Sequence, residues 1–340
     1  MTYRGWKWHD FDAVVISLYV DYGCDNNMVD FSWGMNCAYV QMGGSAQPSQ
    51  EEYEVKASIG WLASTGAEFS AGLGRSGCAH LKHYSVRYRE WGEGPPLVLI
   101  PGLAGGFELL GPLARLLADN FRVISYQLRG EDDVFALRQR FDLHNLVSDL
   151  AEFLDWQCLE RPSLLGVSFG GVLGLEFAAR FPNRLQNLVI QGCGARYERG
   201  LLQRVAGAVL SRYPLPSDSA FVNQFFNLLF GRRQKPGPLF HFVTRQCWQT
   251  DQAVISHRFR MVEQFDMSGK LERIQVPTLA VVGDRDWLVS DRSMNYLRQG
   301  ISDIKLVRLP KCGHLAFITQ PQRVAQEVKS FLLSNEGAGQ

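Results

Sequence analysis

The sequence predicts an α/β protein built on a mainly parallel sheet that helices cover on both faces. Three observations support this prediction. Strand patterns alternate with helical patterns over residues 83–195 and again from 278 onwards, which is typical of parallel sheets. Residues 97–100 are Leu-Val-Leu-Ile, a continuous apolar run that suits a strand buried on both faces. Gly-Val-Ser-Phe-Gly at 166–170 stands between a strand pattern and a helical pattern, which is the setting of a tight strand-to-helix turn.

Two patterns predict the individual strands, and a third predicts the helices. Tyr84, Val86 and Tyr88 alternate with polar residues, which indicates a strand with one buried face. The other strands are predicted from short apolar runs at 97–100, 121–126, 164–167, 188–190, 278–282 and 304–309. Apolar residues at helical spacing predict helices at 108–117, at 143–154, between Ser168 and Pro182, and from Pro321 to Leu332.

Residues 196–270 interrupt this alternation and predict an inserted helical cap. They contain helical patterns at 201–210, 221–230 and 259–265, many large apolar side chains and no clear strand. We expect these helices to cover an apolar pocket, while about half of their apolar side chains make ordinary core contacts. The predicted core of the domain then consists of residues 81–195 and 271–335.

The first part of the chain differs from the rest. Residues 1–80 show no clear period, and residues 58–77 are rich in Gly, Ala and Ser, a composition that loses much entropy on ordering. We therefore expect residues 1–80 to be a poorly structured N-terminal extension. A chain that starts near Ala79 is expected to fold and to keep its activity.

Composition excludes several classes of function. The 340 residues are 46% hydrophobic, and their net charge of +1 gives no reason to expect a nucleic-acid partner. The seven cysteines are scattered without a Cys-x-x-Cys pair, which argues against a disulfide framework and a metal site. The sequence has no apolar run of the ~18 residues that a membrane span needs. We expect a cytoplasmic protein without stable membrane insertion, and the sequence leaves its oligomeric state open.

Ser168 is the candidate nucleophile, because a serine that attacks a substrate must stand clear of its own backbone. Gly166 and Gly170 supply the room for such a turn, and the helix that follows presents free N–H groups to negative charge. Serine needs a base within hydrogen-bond reach. His314 is the candidate base because it follows the last predicted strand; the remaining histidines are expected to be structural, namely His9, His80, His83, His144, His241 and His257.

The acid and the oxyanion donors are predicted from position. Asp286 follows a strand and is the candidate acid that orients His314, although Asp284 competes and either carboxylate could instead cap a turn. Ser168, Asp286 and His314 all fall at the carboxyl edge of the predicted sheet. The backbone N–H groups of Phe169 and Leu103 are the expected donors to an oxyanion.

These residues resemble the α/β-hydrolase superfamily, in particular its cap-bearing esterases, lactonases and C–C hydrolases. The matching segments are 97–106, 166–171, Gly283-x-x-Asp286 and Gly313-His314. The resemblance implies an eight-stranded, mostly parallel sheet whose second strand is antiparallel. It also implies the triad Ser168, Asp286 and His314, oxyanion donors at Leu103 and Phe169, and no cofactor or metal. The chain departs from the family at Pro101, where a histidine is usual, at 127–132, where Asp-x-Arg-Gly-x-Gly is usual, and at Thr319, where an acidic residue is common.

The expected activity is therefore hydrolysis of an ester-like bond, in a carboxylic ester, lactone or thioester, of a small to medium apolar substrate. C–C bond hydrolysis uses the same residues and is an alternative. A non-catalytic scaffold that keeps the fold is another, which the presence of all three triad residues opposes. The apolar residues 225–230 followed by Arg232 and Arg233 would also suit an interfacial helix, for which a buried cap helix is the commoner explanation.

Overall fold

The computed structural model describes residues 74–131, 141–197, 204–205, 207–209, 220–231 and 237–336. An eight-stranded sheet lies at its centre, with strand order β1-β2-β4-β3-β5-β6-β7-β8. The strands are β1 (Arg75–His80), β2 (Ser85–Trp91), β3 (Pro96–Ile100), β4 (Arg122–Tyr126), β5 (Ser163–Val167), β6 (Leu188–Gln191), β7 (Thr278–Gly283) and β8 (Ile304–Leu309). β2 is antiparallel to both β1 and β4, and the other neighbouring strands run parallel. The predicted sheet is confirmed.

Helices cover both faces of this sheet. They are α1 (Gly111–Leu117), α2 (Leu143–Trp156), α3 (Phe169–Arg180), α4 (Ala220–Phe230), α5 (Pro238–Cys247), α6 (Gln252–Gln264), α7 (Asp291–Gly300), α8 (Ala316–Thr319) and α9 (Pro321–Glu336), with 3₁₀ turns at Phe107–Leu110 and Leu271–Arg273. Apolar side chains of α2, α3 and α7 share one core cluster, and those of α1 and α9 share the other. β3 and β5 contribute to both clusters, which explains why their sequences are continuously apolar.

Local capping fixes where several helices begin. Asp142 and Asn145 form a reciprocal capping box at the start of α2, with each side chain accepting the other's backbone N–H at 2.9 Å. Ser290 caps α7 through a 3.2 Å hydrogen bond from the Ser293 N–H. Pro321 is the first residue of α9, where the missing N–H costs nothing.

The helices α4, α5 and α6 lie between β6 and β7 in the chain, within the segment predicted to be a cap, and we call this segment the cap. α6 begins earlier than the predicted 259, because Asp251 accepts the Ala253 N–H at 2.7 Å and caps it. α5 was not predicted. Half of the predicted helix at 201–210 lies outside the described residues, and the described half, 204–205 and 207–209, is helical. Phe226 and Phe230 are buried and pack on Phe240, so the apolar face of α4 points inwards. No helix in the described ranges is long and apolar enough to cross a membrane.

The sheet starts earlier in the chain than predicted. β1 covers Arg75–His80, within the segment that the sequence assigned to a poorly structured extension, and it pairs with β2 over its whole length. Its sequence, Arg-Ser-Gly-Cys-Ala-His, has only one buried residue, Ala79. A strand at the edge of a sheet needs little apolar surface, so hydrophobic pattern alone gives no signal for it. The rest of the predicted extension, residues 1–73, lies outside the described residues.

Candidate active site

Ser168 lies in the tight turn between β5 and α3, and its backbone has the left-handed conformation that such a turn imposes. Ser168 has φ +52° and ψ −110°, which is a strained conformation for a residue with a side chain. A Cβ at Gly166 would lie 2.2 Å from the Gly170 carbonyl oxygen, and a Cβ at Gly170 would lie 2.1 Å from that of Ile100. Neither position therefore accepts a larger residue. The Ser168 N–H donates to the Gln191 carbonyl at 2.8 Å, which ties the elbow to β6.

His314 lies in the loop after β8, with its Nε2 2.7 Å from Ser168 Oγ. The side chain is buried, and two contacts hold its backbone. The Gln191 side-chain amide donates to the His314 carbonyl oxygen at 3.0 Å. The preceding Gly313 packs so closely on the end of α4 that a Cβ there would lie 2.6 Å from the Leu229 carbonyl oxygen. The histidine loop is thus held by both the sheet and the cap.

Asp286 completes a continuous chain of hydrogen bonds. Its Oδ2 lies 2.9 Å from His314 Nδ1, and its Oδ1 accepts the N–H groups of Leu288 at 2.9 Å and Val289 at 3.3 Å. The carboxyl group is fully buried. A carboxylate only accepts hydrogen bonds, so Nδ1 carries a proton here and Nε2 is left to accept the Ser168 hydroxyl. This is the tautomer that a general base needs.

Asp284, the competing acid, has a different environment. Its Oδ1 accepts the Cys312 N–H at 3.2 Å. Backbone hydrogen bonds, first from Lys311 and then from Cys312, lower the pKa of this exposed carboxyl below its usual value. Asp284 therefore caps the loop that carries His314, which is the turn-capping role that the sequence left open.

The two predicted oxyanion donors belong to residues near Ser168, since Phe169 follows it directly and Leu103 lines the same cavity. Phe169 is the first residue of α3, so its N–H has no partner in a preceding helical turn. Leu103 lies in the loop after β3, and a Cβ on the neighbouring Gly102 would contact Ser168 Cβ at 3.8 Å. The positive end of the α3 dipole also favours negative charge at this place. The positions suit an oxyanion formed next to Ser168.

An apolar cavity of about 150 Å³ opens onto Ser168 and His314. Its walls come from the loop after β3, from the His314 loop and from the cap, and they include Leu103, Phe225, Trp248, Phe259 and Leu315. No Asp, Glu, Lys or Arg is among the described residues that line it. Cys247 also lines the cavity, but burial raises the pKa of its thiol to about 12, so the thiol is neutral and a poor nucleophile. No cluster of metal-ligating side chains occurs within the described ranges.

The structure thus joins the side chains of Ser168, His314 and Asp286 by hydrogen bonds, and it places the residues Leu103 and Phe169 nearby. Sequence reasoning missed three residues that support them: Gln191, Thr250 and Arg258. Gln191 gave a weak signal, because it is a polar residue at the end of the apolar run Leu-Val-Ile. Thr250 and Arg258 are cap residues that bind the loop after β3, and they carry no local pattern that distinguishes them from surface residues.

Comparison with known proteins gives one consistent result. A family model described as the alpha/beta hydrolase fold matches residues 95–321. Pimeloyl-acyl-carrier-protein methyl ester esterase of Nitrosospira multiformis is 25% identical over 263 residues, which cover 73% of this chain and 98% of that enzyme. A putative 2-succinyl-6-hydroxy-2,4-cyclohexadiene-1-carboxylate synthase of Bacillus subtilis is 27% identical over 277 residues, covering 73% and 96%. A bacterial membrane phospholipase A superposes with a TM-score of 0.69 at 23% identity, covering 84% and 94%.

Proposed function

We propose that this enzyme cleaves ester-like bonds through a serine nucleophile. The chain belongs to the alpha/beta hydrolase fold family and is an enzyme of that class. One observation supports the proposal above all. Ser168 Oγ, His314 and Asp286 form a chain of hydrogen bonds of 2.7 and 2.9 Å at the carboxyl edge of the sheet, beside an apolar cavity.

In the first half of the proposed reaction, His314 Nε2 takes the proton of Ser168 as Oγ bonds to the substrate's carbonyl carbon. The carbonyl oxygen becomes negative and accepts hydrogen bonds from the Leu103 and Phe169 N–H groups. Asp286 stabilises the charged imidazole and keeps it oriented. His314 then gives its proton to the leaving group, and an acyl group stays on Ser168.

Water completes the cycle. It enters where the leaving group was, His314 takes its proton, and the resulting hydroxide attacks the acyl carbon. The same N–H groups stabilise the second oxyanion, and the proton returns to Ser168 Oγ as the acid product leaves. None of these steps requires a cofactor.

The cavity favours a particular substrate class. Its walls are apolar, and the described residues that line it include no Asp, Glu, Lys or Arg. A buried carboxylate on the acyl group would therefore lack a permanently charged partner. We therefore place a small to medium uncharged acyl group in the cavity, in an ester, lactone or thioester. The relative from Nitrosospira multiformis is named as a methyl ester esterase, which agrees with an ester bond. The cytoplasm is the proposed location, on the basis of the scattered cysteines.

The experiment measures hydrolysis of p-nitrophenyl esters from acetate to dodecanoate, with matched thioesters and lactones, by wild type and Ser168→Ala. We expect turnover that peaks at short or medium acyl chains and falls by about 10⁴–10⁶ in the variant. Folded wild-type protein that hydrolyses no compound of the three classes would contradict the proposal. Activity confined to C–C bonds would favour the alternative that the same triad allows.

A further inference from the structure

Arg258, in cap helix α6, is the largest fully buried side chain of the described residues. Its Nη1 donates to the Leu103 carbonyl oxygen at 2.9 Å and to Glu131 Oε1 at 2.8 Å, and its Nη2 donates to the Arg129 carbonyl oxygen at 2.9 Å. Burying a guanidinium is costly unless it is paired, and here a carboxylate and two carbonyls bind Nη1 and Nη2, while the buried Nε has no hydrogen-bond partner. Such a buried pair contributes little net stability, so its position in the molecule needs another explanation.

That position is the loop that carries the proposed oxyanion donor. Leu103 lies in the run Pro-Gly-Leu-Ala-Gly-Gly at 101–106, which belongs to no helix or strand. Gly105 has φ +84° and Gly106 has φ +50°, both in the left-handed region. Glycine gives a chain conformational freedom, so this loop does not fix the direction of the Leu103 N–H by itself.

Two cap residues supply the missing constraints. Arg258 holds the carbonyl of Leu103, and the buried Thr250 hydroxyl accepts the Gly105 N–H at 3.1 Å. Glu131 lies against the same loop, since a Cβ on Gly106 would be 3.0 Å from its Oε2. The loop is therefore pinned on both sides of Ala104 by side chains that come from outside it.

The sequence supports the same interpretation. Pro101, which begins this loop, has neither a backbone N–H nor a polar side chain with which to brace it. Arg258 instead binds the Leu103 carbonyl oxygen, in the loop that Pro101 begins, and Glu131, which lies against the same loop.

We infer that Arg258 is a positioning residue: it holds the loop so that the Leu103 N–H points at the oxyanion, and it makes that donor depend on the docked cap. The inference rests on the proposed function, because it presupposes an oxyanion beside Ser168. Hydrogen-bond donors help catalysis in proportion to how well they are fixed beforehand, so loss of Arg258 should act on the transition state more than on substrate binding.

The test compares wild type with Arg258→Lys and with the double variant Glu131→Gln/Arg258→Gln, which removes both buried charges together. The matched control is Arg122→Lys, which alters an ion pair with Glu90 at the opposite end of the sheet. For each protein, kcat and KM are measured on the best p-nitrophenyl ester, together with the inhibition constant of a trifluoromethyl ketone carrying the same acyl chain. The ketone forms a charged adduct with a catalytic serine and so reports on the oxyanion site.

Removal of a whole oxyanion donor costs about 10²–10³ in kcat, so a displaced donor should cost about 10- to 100-fold in the double variant and less in Arg258→Lys. KM should change by less than about 3-fold, and the ketone should bind more weakly in proportion to kcat/KM. The Arg122 control should match wild type.

A merely structural role for Arg258 predicts a different result. If Arg258 only stabilised the fold, its loss would lower the number of active molecules but leave the ketone's inhibition constant unchanged. An unchanged inhibition constant in either folded variant would overturn the inference. A wild-type protein that neither hydrolyses esters nor binds the ketone would overturn the proposed function instead. Thermal unfolding shows which variants are folded, and the charge-balanced double variant provides a folded comparison if Arg258→Lys is unstable.

Discussion

At the scale of single residues, the hydrogen bond between Asp286 and His314 Nδ1 decides which imidazole nitrogen faces Ser168. An asparagine at 286 can donate its amide to Nδ1 and so favour the wrong tautomer, with Nε2 protonated towards Ser168. We predict that Asp286→Asn lowers kcat by about 10⁴ with little change in fold. Ester hydrolysis and the unfolding midpoint of the purified variant measure the two effects.

Asp284→Asn is the matched control, because Asp284 lies two residues away and binds the Cys312 N–H instead. Its side-chain amide oxygen can still accept that N–H, so activity should stay within a few-fold of wild type. If Asp284→Asn were the inactive variant and Asp286→Asn the active one, the assignment of the acid would be wrong.

The residues of the candidate site differ in how well sequence alone could find them. Ser168, Asp286 and His314 each follow a strand pattern, and their position at the sheet's carboxyl edge is a consequence of topology. Gln191, Thr250 and Arg258 act across separations of 123, 145 and 155 residues, on backbone atoms that any residue type has. A single sequence contains no signal for contacts of that kind, because the identity of the residue whose backbone atom is bound does not determine which side chain binds it.

At the scale of elements, the Glu90 side chain of β2 links β2 to both of its neighbours, β1 and β4, at the antiparallel edge of the sheet. Its carboxylate accepts from Arg122 of β4 at 3.0 Å and from Arg75 of β1 at 2.7 Å. The Arg122 hydrogen bond, with Arg75 adding to it, holds the pKa of Glu90 below its usual value. Because the folded pKa is lower than the unfolded pKa of about 4.3, this stabilisation is present above that pH and is lost as the pH falls through the folded pKa.

We predict that Glu90→Gln lowers the free energy of unfolding by about 1–2 kcal/mol at pH 7, at the lower end for hydrogen bonds to a charged group because both arginine partners are partly exposed to solvent. The difference from wild type should shrink as the pH falls below about 4. Urea unfolding at a series of pH values measures this difference in the free energy of unfolding. Glu93→Gln is the control, because Glu93 is an exposed residue in the turn that follows β2. A difference that grows towards low pH would contradict this account of Glu90.

Elements with a strong apolar pattern were predicted well, and those without one were not. The strand at 304–309 has the predicted bounds, and those at 97–100 and 278–282 differ by a single residue. β1 was missed because its exposed side chains give no alternation, and α5 was missed because its apolar residues are mixed with His241, Thr244 and Arg245. Pairing with β2 and packing onto the core decide these two elements, and both are tertiary contacts.

At the scale of the whole molecule, β1 changes where a shortened chain should begin. We predict that a chain starting at Gly74 unfolds cooperatively and hydrolyses esters like the full-length protein, because it keeps the whole of β1. A chain starting at Leu81 loses all six residues paired with β2 and exposes that strand's edge, so it should unfold at a lower temperature. The expected start at Ala79 removes most of β1 and should resemble the second chain. Equal unfolding midpoints for all three would show that β1 contributes nothing.

The proposed mechanism requires Ser168 to be an activated nucleophile, and a fluorophosphonate probe tests this without knowledge of the substrate. Purified wild type and Ser168→Ala are treated with the probe, and the modified peptide is identified by mass spectrometry. We predict that wild type is labelled on Ser168 alone and that the variant is not labelled, because an ordinary serine hydroxyl does not react. Equal labelling of both proteins, or labelling of folded wild type at another residue only, would contradict the assignment of Ser168 as the nucleophile.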